Sequence, residues 1–294
     1  MSYVFHLVNM VGIYAILALS LNIVAGYAGL LSLCHAAFYG IGAYGVALMI
    51  LHSDLSVWQA VIAAVLVTGF IAGLVGAASV RFRSDYVAIF TFGFQILVFS
   101  LFNNLVPLTG GPNGIGGIRQ PVIFGQSLST SNTFAGLVCT LAVGSLFICR
   151  FIETSQFGRI LRAVREDETF VQSLGINVSL FKISAFAISG AMAGLAGGIY
   201  ATYITYIDPT SFTFAESLSV LTMVIVGGLG NSFGVVVGAC LFTLVPEGLR
   251  AIGISGGGAA NVRQVLFGAC LVLVVFLKPA GLFKERIATR EVGG

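Results

Sequence analysis

The sequence predicts an all-α polytopic membrane protein with about nine transmembrane helices, within a range of eight to ten. Three observations carry that prediction. Hydrophobic residues make up 57% of the 294 residues and charged residues 9%, against about 25% charge in a soluble domain. Mean hydropathy is +1.02. The apolar residues gather into long runs, most of them close to the ~20 residues a helix needs to cross a bilayer. A soluble core could not hide so much apolar surface. The net charge of +3 includes no basic run of the kind that binds nucleic acid.

The first segment runs from Phe5 to Ala25. No Lys or Arg precedes it, and it is too long for the apolar core of a cleaved signal, so it reads as a retained helix. The second, Gly29 to Leu51, opens GLLSLCHAAFYGIGAYG and holds His35, Gly40, Gly42 and Gly45. A helix so rich in glycine needs close neighbours or breaks at mid-membrane. His52 and Asp54 mark a turn, and the third segment follows from Val57 to Val80, ending at Arg81 and Arg83. The fourth spans Asp85 to Asn104 and leads into a polar loop, TGGPNGIGG, from Thr109 to Gly117. The fifth is Thr133 to Cys149. The sixth, Ile183 to Thr205, is broken by Asp208-Pro209. The seventh, Glu216 to Val226, is short enough to be broken or re-entrant, and ends in GGLGN. The eighth runs from Ser232 to Arg250 and the ninth from Val262 to Leu277, before a charged tail at 279–294. The whole chain, 1–294, reads as a single membrane domain.

Nine crossings with the N-terminus outside place Arg81, Arg83, Arg150, Arg159, Arg162, Arg165, Lys182, Lys278, Lys284, Arg286 and Arg290 in the cytoplasm, together with the C-terminus. Arg119, Arg250 and Arg263 fall outside. This matches the bias of Lys and Arg toward cytoplasmic loops. The Gly69/Gly73 pair, the stripe Gly190, Gly194 and Gly198, and the pair Gly234/Gly238 predict close helix contacts, not a ligand site. The cysteines, at 34, 139, 149, 240 and 270, show no metal-ligand spacing and read as small apolar side chains.

Intramembrane polar residues are the default functional candidates, and here they are few: Asn22, His35, Gln95, Glu216 and Glu247. No acidic pair sits at i, i+4, and no His/Glu spacing suggests a metal. His35 lies at mid-depth, where a lone histidine most often bonds helix to helix. Glu247 follows Pro246 and reads as a helix end paired with Arg250. None of the three lysines follows a glycine, so no phosphate-binding GxxxxGK[ST] loop exists. In the TGGPNGIGG loop, Gly110, Gly111, Asn113 and Gly114 form either a set of tight turns or a lid or docking surface at the outer mouth. The chain therefore reads as a transport pathway without its own energy source or cofactor, and not as an enzyme. A self-sufficient carrier or channel is the competing class.

The stretch from Arg150 to Lys182 is the exception to this apolar pattern. It holds nine charged residues: Arg150, Glu153, Arg159, Arg162, Arg165, Glu166, Asp167, Glu168 and Lys182. Phe157, Leu161 and Val164 fall on one helical stripe, and Arg159, Arg162, Arg165 and Glu166 on another side. Gly158 suits an N-terminal helix boundary and Gly175 a C-terminal one. Charges of both signs argue against a lipid anchor and for docking into a protein groove. Arg159, Arg162 and Arg165 are the expected polar contacts, Phe157 and Leu161 the apolar anchors. Arg150 and Lys182 are expected at the membrane interface.

Six stretches in order resemble the permease subunits of ABC importers for branched-chain amino acids, in particular the LivM-type half. They are GLLSLCHAAFYGIGAY (from Gly29), TGGPNGI (from Thr109), FGRILRAVREDETFVQSLGINV (from Phe157), KISAFAISGAMAGLAGGIYA (from Lys182), IVGGLGNSFGVVVGA (from Ile225) and KPAGLF (from Lys278). The resemblance implies type II importer architecture in the bacterial inner membrane. It also implies a second, LivH-type permease, two ATP-binding subunits that use the ATP, and an amino-acid-binding protein outside. It makes 151–181 the cytoplasmic loop that couples to the ATPase. Permeases for urea and short-chain amides are similar in sequence and stand as alternatives.

Overall fold

The computed structural model describes residues 2–251 except 54, 83, 124–125 and 128–130, and beyond them residues 265, 268, 269, 272, 274, 276, 282 and 283. Most of the ninth predicted segment, Arg83, Asp54, Arg263, Cys270, the side chains of Glu247 and Arg250, and almost all of the tail lie outside the described residues.

Among the described residues the first eight predicted segments appear as helices. They are α1 (Ser2–Leu21), α2 (His35–His52), α3 (Val57–Ser79), α4 (Ser84–Asn104), α6 (Ser131–Thr154), α9 (Val178–Ile204), α10 (Phe214–Gly227) and α11 (Ser232–Ala251). Three short helices lie between them: α5 (Val106–Thr109), α7 (Gln156–Glu166) and α8 (Glu168–Ser173). Six of the described helices are long and apolar enough to cross a membrane. The fold is thus an all-α polytopic one.

Local chemistry explains the boundaries. Ser56 and Gln59 form a reciprocal capping box that starts α3. The Asn177 side chain accepts from Leu180 N–H at the start of α9. α9 ends at Thr205, whose φ of +62° is left-handed. α1 continues as a π-helical turn, Asn22–Tyr27, before the chain turns at Gly29.

The core lies where α9 crosses α2 and α3. Glycine makes this crossing possible. A Cβ on Gly197 would stand 2.0 Å from Tyr39 O, and one on Gly42 2.3 Å from Gly194 O. Gly190 faces Ala72 and Gly69 faces Ala191 in the same way. A second contact joins α10 to α11, where Gly227 meets the Gly234 carbonyl and Gly238 the Met223 carbonyl. The glycine stripes serve packing, as their spacing predicts.

The bundle has two unlike ends. At one end are the end of α1, the ends of α3 and α6, helices α7 and α8, the start of α9 and the α10–α11 turn. Arg81, Arg150, Arg159, Arg162, Arg165 and Lys182 all belong to this end. At the other end two-residue strands β1 (Ile115–Gly116) and β4 (Tyr206–Ile207) pair antiparallel, as do β2 (Val122–Ile123) and β3 (Gln126–Ser127). Arg119 is at that end.

Candidate functional site

Two of the helices begin inside the bundle. The chain has no regular secondary structure from Gly29 to Cys34 before α2 starts at His35, and α10 starts at Phe214 after a 3-10 turn, Pro209–Phe212. Irregular backbone survives at membrane depth only where protein satisfies its polar groups. Here side chains do so. Leu33 N–H donates to Thr91 Oγ1 at 3.0 Å, Ala36 N–H to Ser217 Oγ at 2.9 Å and Ala37 N–H to Gln95 Oε1 at 2.8 Å. Gln95 Nε2 donates to Phe212 O at 2.9 Å, and Ser217 Oγ to Gln95 Oε1 at 3.2 Å. The first N–H groups of α2, which no helix can satisfy internally, are thus bound by α4 and α10.

His35 closes this junction. Its fully buried ring lies 3.1 Å, through Nε2, from Ser189 Oγ on α9. Ser189 donates in turn to Ser20 O of α1 at 2.6 Å. The histidine bonds helix to helix, as a lone His in a glycine-rich segment predicts. Ser189, Ser217 and Phe212 went unread in the sequence, because a serine in an apolar run carries no signal of its own. Around Phe212 pack Tyr39, Tyr44, Phe102 and Tyr200, with ring centroids 5.2 to 6.2 Å from it.

The TGGPNGIGG loop is a turn set. Gly110, Gly111, Gly114 and Gly117 all have positive φ, which glycine alone adopts without strain. A Cβ on Gly114 would lie 2.2 Å from Ile207 O, and one on Gly110 2.1 Å from Gly114 O. Tyr206 Oη donates to Asn113 O at 2.7 Å. Gly110 N–H bonds back to Val106 O of α5, Gly114 N–H bonds Gly111 O, and Gly111 N–H bonds Thr109 Oγ1, so these amides do not form an open anion cradle.

The charged stretch forms a platform at the basic end, and here several expectations change. One short helix bounded by Gly158 and Gly175 is expected; two are found, α7 and α8, separated at Asp167. Ser155, rather than Gly158, caps α7 by accepting from Gly158 N–H at 3.2 Å. Gly158 instead sits against Ile152 O, where a Cβ would come within 2.1 Å. Asp167 caps α8, its carboxylate accepting from Phe170 N–H at 3.0 Å and from Thr169 Oγ1 at 2.6 Å. The Thr169 hydroxyl, more than the Phe170 amide, holds this carboxyl below the usual aspartate range. Gly175, with φ +79°, ends α8 as predicted.

Leu161 is fully buried against its own chain, so it cannot anchor a partner. Phe157 stacks on Phe181 at 5.5 Å. Arg162 donates to Glu153 O and lies over the Tyr27 ring, 5.9 Å from its centroid. Arg165 Nη1 donates to Gly26 O at 2.7 Å, which places a cation at the carbonyl end of α1. These two arginines tie the platform to the bundle, although Arg165 itself stays exposed. Arg159 and Glu166 remain exposed. Phe170 and Leu174, 60% and 62% exposed, are uncovered apolar side chains that sequence reading passed over. Lys182, expected at the membrane interface, is buried within the protein. It is 3% exposed and ion-paired to Glu168 at 2.6 Å.

Residues 3–275 match the profile of the family described as "Branched-chain amino acid transport system / permease component". The chain belongs to this permease family. It is 36% identical to the high-affinity branched-chain amino acid transport system permease protein LivM of Salmonella typhimurium, over 93% of this chain and 68% of that one. A probable LivM of Methanocaldococcus jannaschii is 26% identical over 94% and 91%. The Salmonella typhimurium LivH permease is 28% identical over 95% and 93%. No solved structure matches. Within the permease family the higher identity to LivM agrees with the TGGPNGI loop. These relatives are transport permeases and not enzymes. The platform, the broken-helix junction and the glycine crossings all fall inside the matched region.

Proposed function

We propose that this chain is one half of the membrane pathway of a bacterial inner-membrane importer for branched-chain amino acids. A LivH-type permease supplies the other half. Two ATP-binding subunits dock on the basic end, and a solute-binding protein delivers leucine, isoleucine or valine at the other. The basic end is cytoplasmic by the bias of Lys and Arg, which puts the N-terminus outside. Counting the ninth segment and the half-spanning α10, a type II arrangement of nine or ten segments fits the chain.

One observation carries the docking assignment: the outer surface of α7–α8 combines charges of both signs with Phe170 and Leu174 exposed to water. Apolar side chains uncovered at a water-facing end mark an interaction surface. Arg159, Glu166 and the Gly175 turn complete the face, while Gly158, Leu161, Arg162 and Arg165 support it from behind. ATP-driven closure of the docked subunits shifts the permease between its states because it binds them unequally.

The test is co-purification. Burying a side chain of this size is worth ~1.5–3 kcal/mol, so the double variant F170A/L174A is expected to retain at least about tenfold less ATP-binding subunit. Undiminished co-purification from a normally inserted permease would show that docking lies elsewhere.

A further inference from the structure

Behind the platform lies a buried polar chain that neither the packing nor the docking face requires. Tyr27 Oη and Ser232 Oγ are 2.7 Å apart. Ser232 Oγ donates to Glu153 Oε2 at 3.0 Å. A serine hydroxyl has one proton, so Tyr27 donates to Ser232 and Ser232 to the carboxylate. Glu153 is 6% exposed. Its carboxylate lies 3.6 Å from Arg150, and its carbonyl accepts from Arg162 of the platform. One residue thus joins α6, α7 and the first residue of α11.

The neighbouring contacts grip the same turn. Asn22 Oδ1, in the π-helical turn, accepts from Gly230 N–H at 2.9 Å. Gly26 permits this approach, since a Cβ there would stand 2.1 Å from Asn22 Oδ1 and 2.6 Å from Gly230 N. Single π turns inside α-helices are frequent at functional positions. The α10–α11 hairpin held here is stiff, because its two backbones touch at Gly227, Gly234 and Gly238. α10 is 14 residues long, or about 21 Å. Its far end carries Ser217, which binds Ala36 N–H at the start of α2 and Gln95 of α4.

We propose that the Tyr27–Ser232–Glu153 chain is the link through which the platform drives the α10–α11 hairpin and, through Ser217, the buried start of α2. These are positioning residues that transmit movement and touch neither ATP nor solute. The inference rests on the docking of ATP-binding subunits at α7–α8.

The assembled importer, reconstituted in proteoliposomes with ATP, tests it by the ratio of leucine taken up to ATP hydrolysed. Ser232→Ala and Tyr27→Phe are expected to assemble and to hydrolyse ATP close to the wild-type rate. Their ratio is expected to fall at least about fivefold, and Ser232→Thr, which keeps the hydroxyl, to recover most of it. An unchanged ratio in both variants overturns the link. So does a loss of uptake that only tracks a loss of assembled complex, since a merely structural role gives that result. Failure of the docking reading has a different signature, undiminished co-purification with F170A/L174A.

Discussion

Lys182 illustrates how much of the platform depends on single side chains. Its ammonium is 3% exposed and rests on Glu168 at 2.6 Å. Glu168 is 37% exposed, so only the lysine's charge is buried; removing its partner leaves that charge uncompensated, whereas replacing it with an apolar group of similar size is often tolerated. Glu168→Gln is therefore expected to lower stability by ~1–3 kcal/mol, and more than Lys182→Met does. Thermal unfolding in detergent measures both, and the reverse order would contradict the burial of this lysine. Asp167 adds a pH dependence. Its carboxyl is lowered in the folded protein, so its contribution is fully present above the ordinary aspartate range, ~3.9. That contribution drains away as the pH falls through the lowered value. The protection of the Phe170 amide, its exchange rate relative to the intrinsic rate at the same pH, is expected to hold at pH 5 and to fall only in stronger acid. Loss of that protection already at pH 5 would show that the cap is not charged in the way the geometry requires.

Among the elements, α9 and its glycines decide the packing. Gly197→Ala places a methyl group 2.0 Å from Tyr39 O and is expected to cost ~1–3 kcal/mol as the helices separate. Gly93→Ala meets nothing within 4 Å and is expected to be neutral or slightly stabilising, since alanine favours helix over glycine. Comparing the two melting temperatures tests whether close approach, rather than glycine content, matters. The sequence shows this level well, because i, i+4 glycine spacing has one packing meaning in a membrane helix. It shows the platform less well. The periodicity of Phe157, Leu161 and Val164 finds α7 but not which way the stripe faces: Leu161 turns inward, and Phe170 and Leu174 are left outside. The break at Asp167 does leave a trace, an Asp three residues ahead of the amide that it caps, but the surrounding charges mask it.

For the whole molecule, hydropathy reveals the segments and the basic residues reveal the two unlike ends. The polar junction where α2 and α10 begin is hidden, because Ser189, Ser217 and Gln95 meet only in three dimensions. His35 and Gln95, read as isolated intramembrane polar residues, are the sequence's hints of it. The arrangement joins a charged platform, a stiff α10–α11 hairpin and a buried helix start in series. Its 294 residues contain no GxxxxGK[ST] phosphate loop, and in the proposed account energy arrives from ATP-binding subunits through the platform. The most direct measurement compares leucine accumulation in proteoliposomes holding this chain alone with accumulation in those holding the assembled importer. Uptake is expected only with both permeases, the ATP-binding subunits and ATP, and is expected to be lost in F170A/L174A. Gradient-driven flux through this chain alone, at a rate matching the complex, would contradict the account.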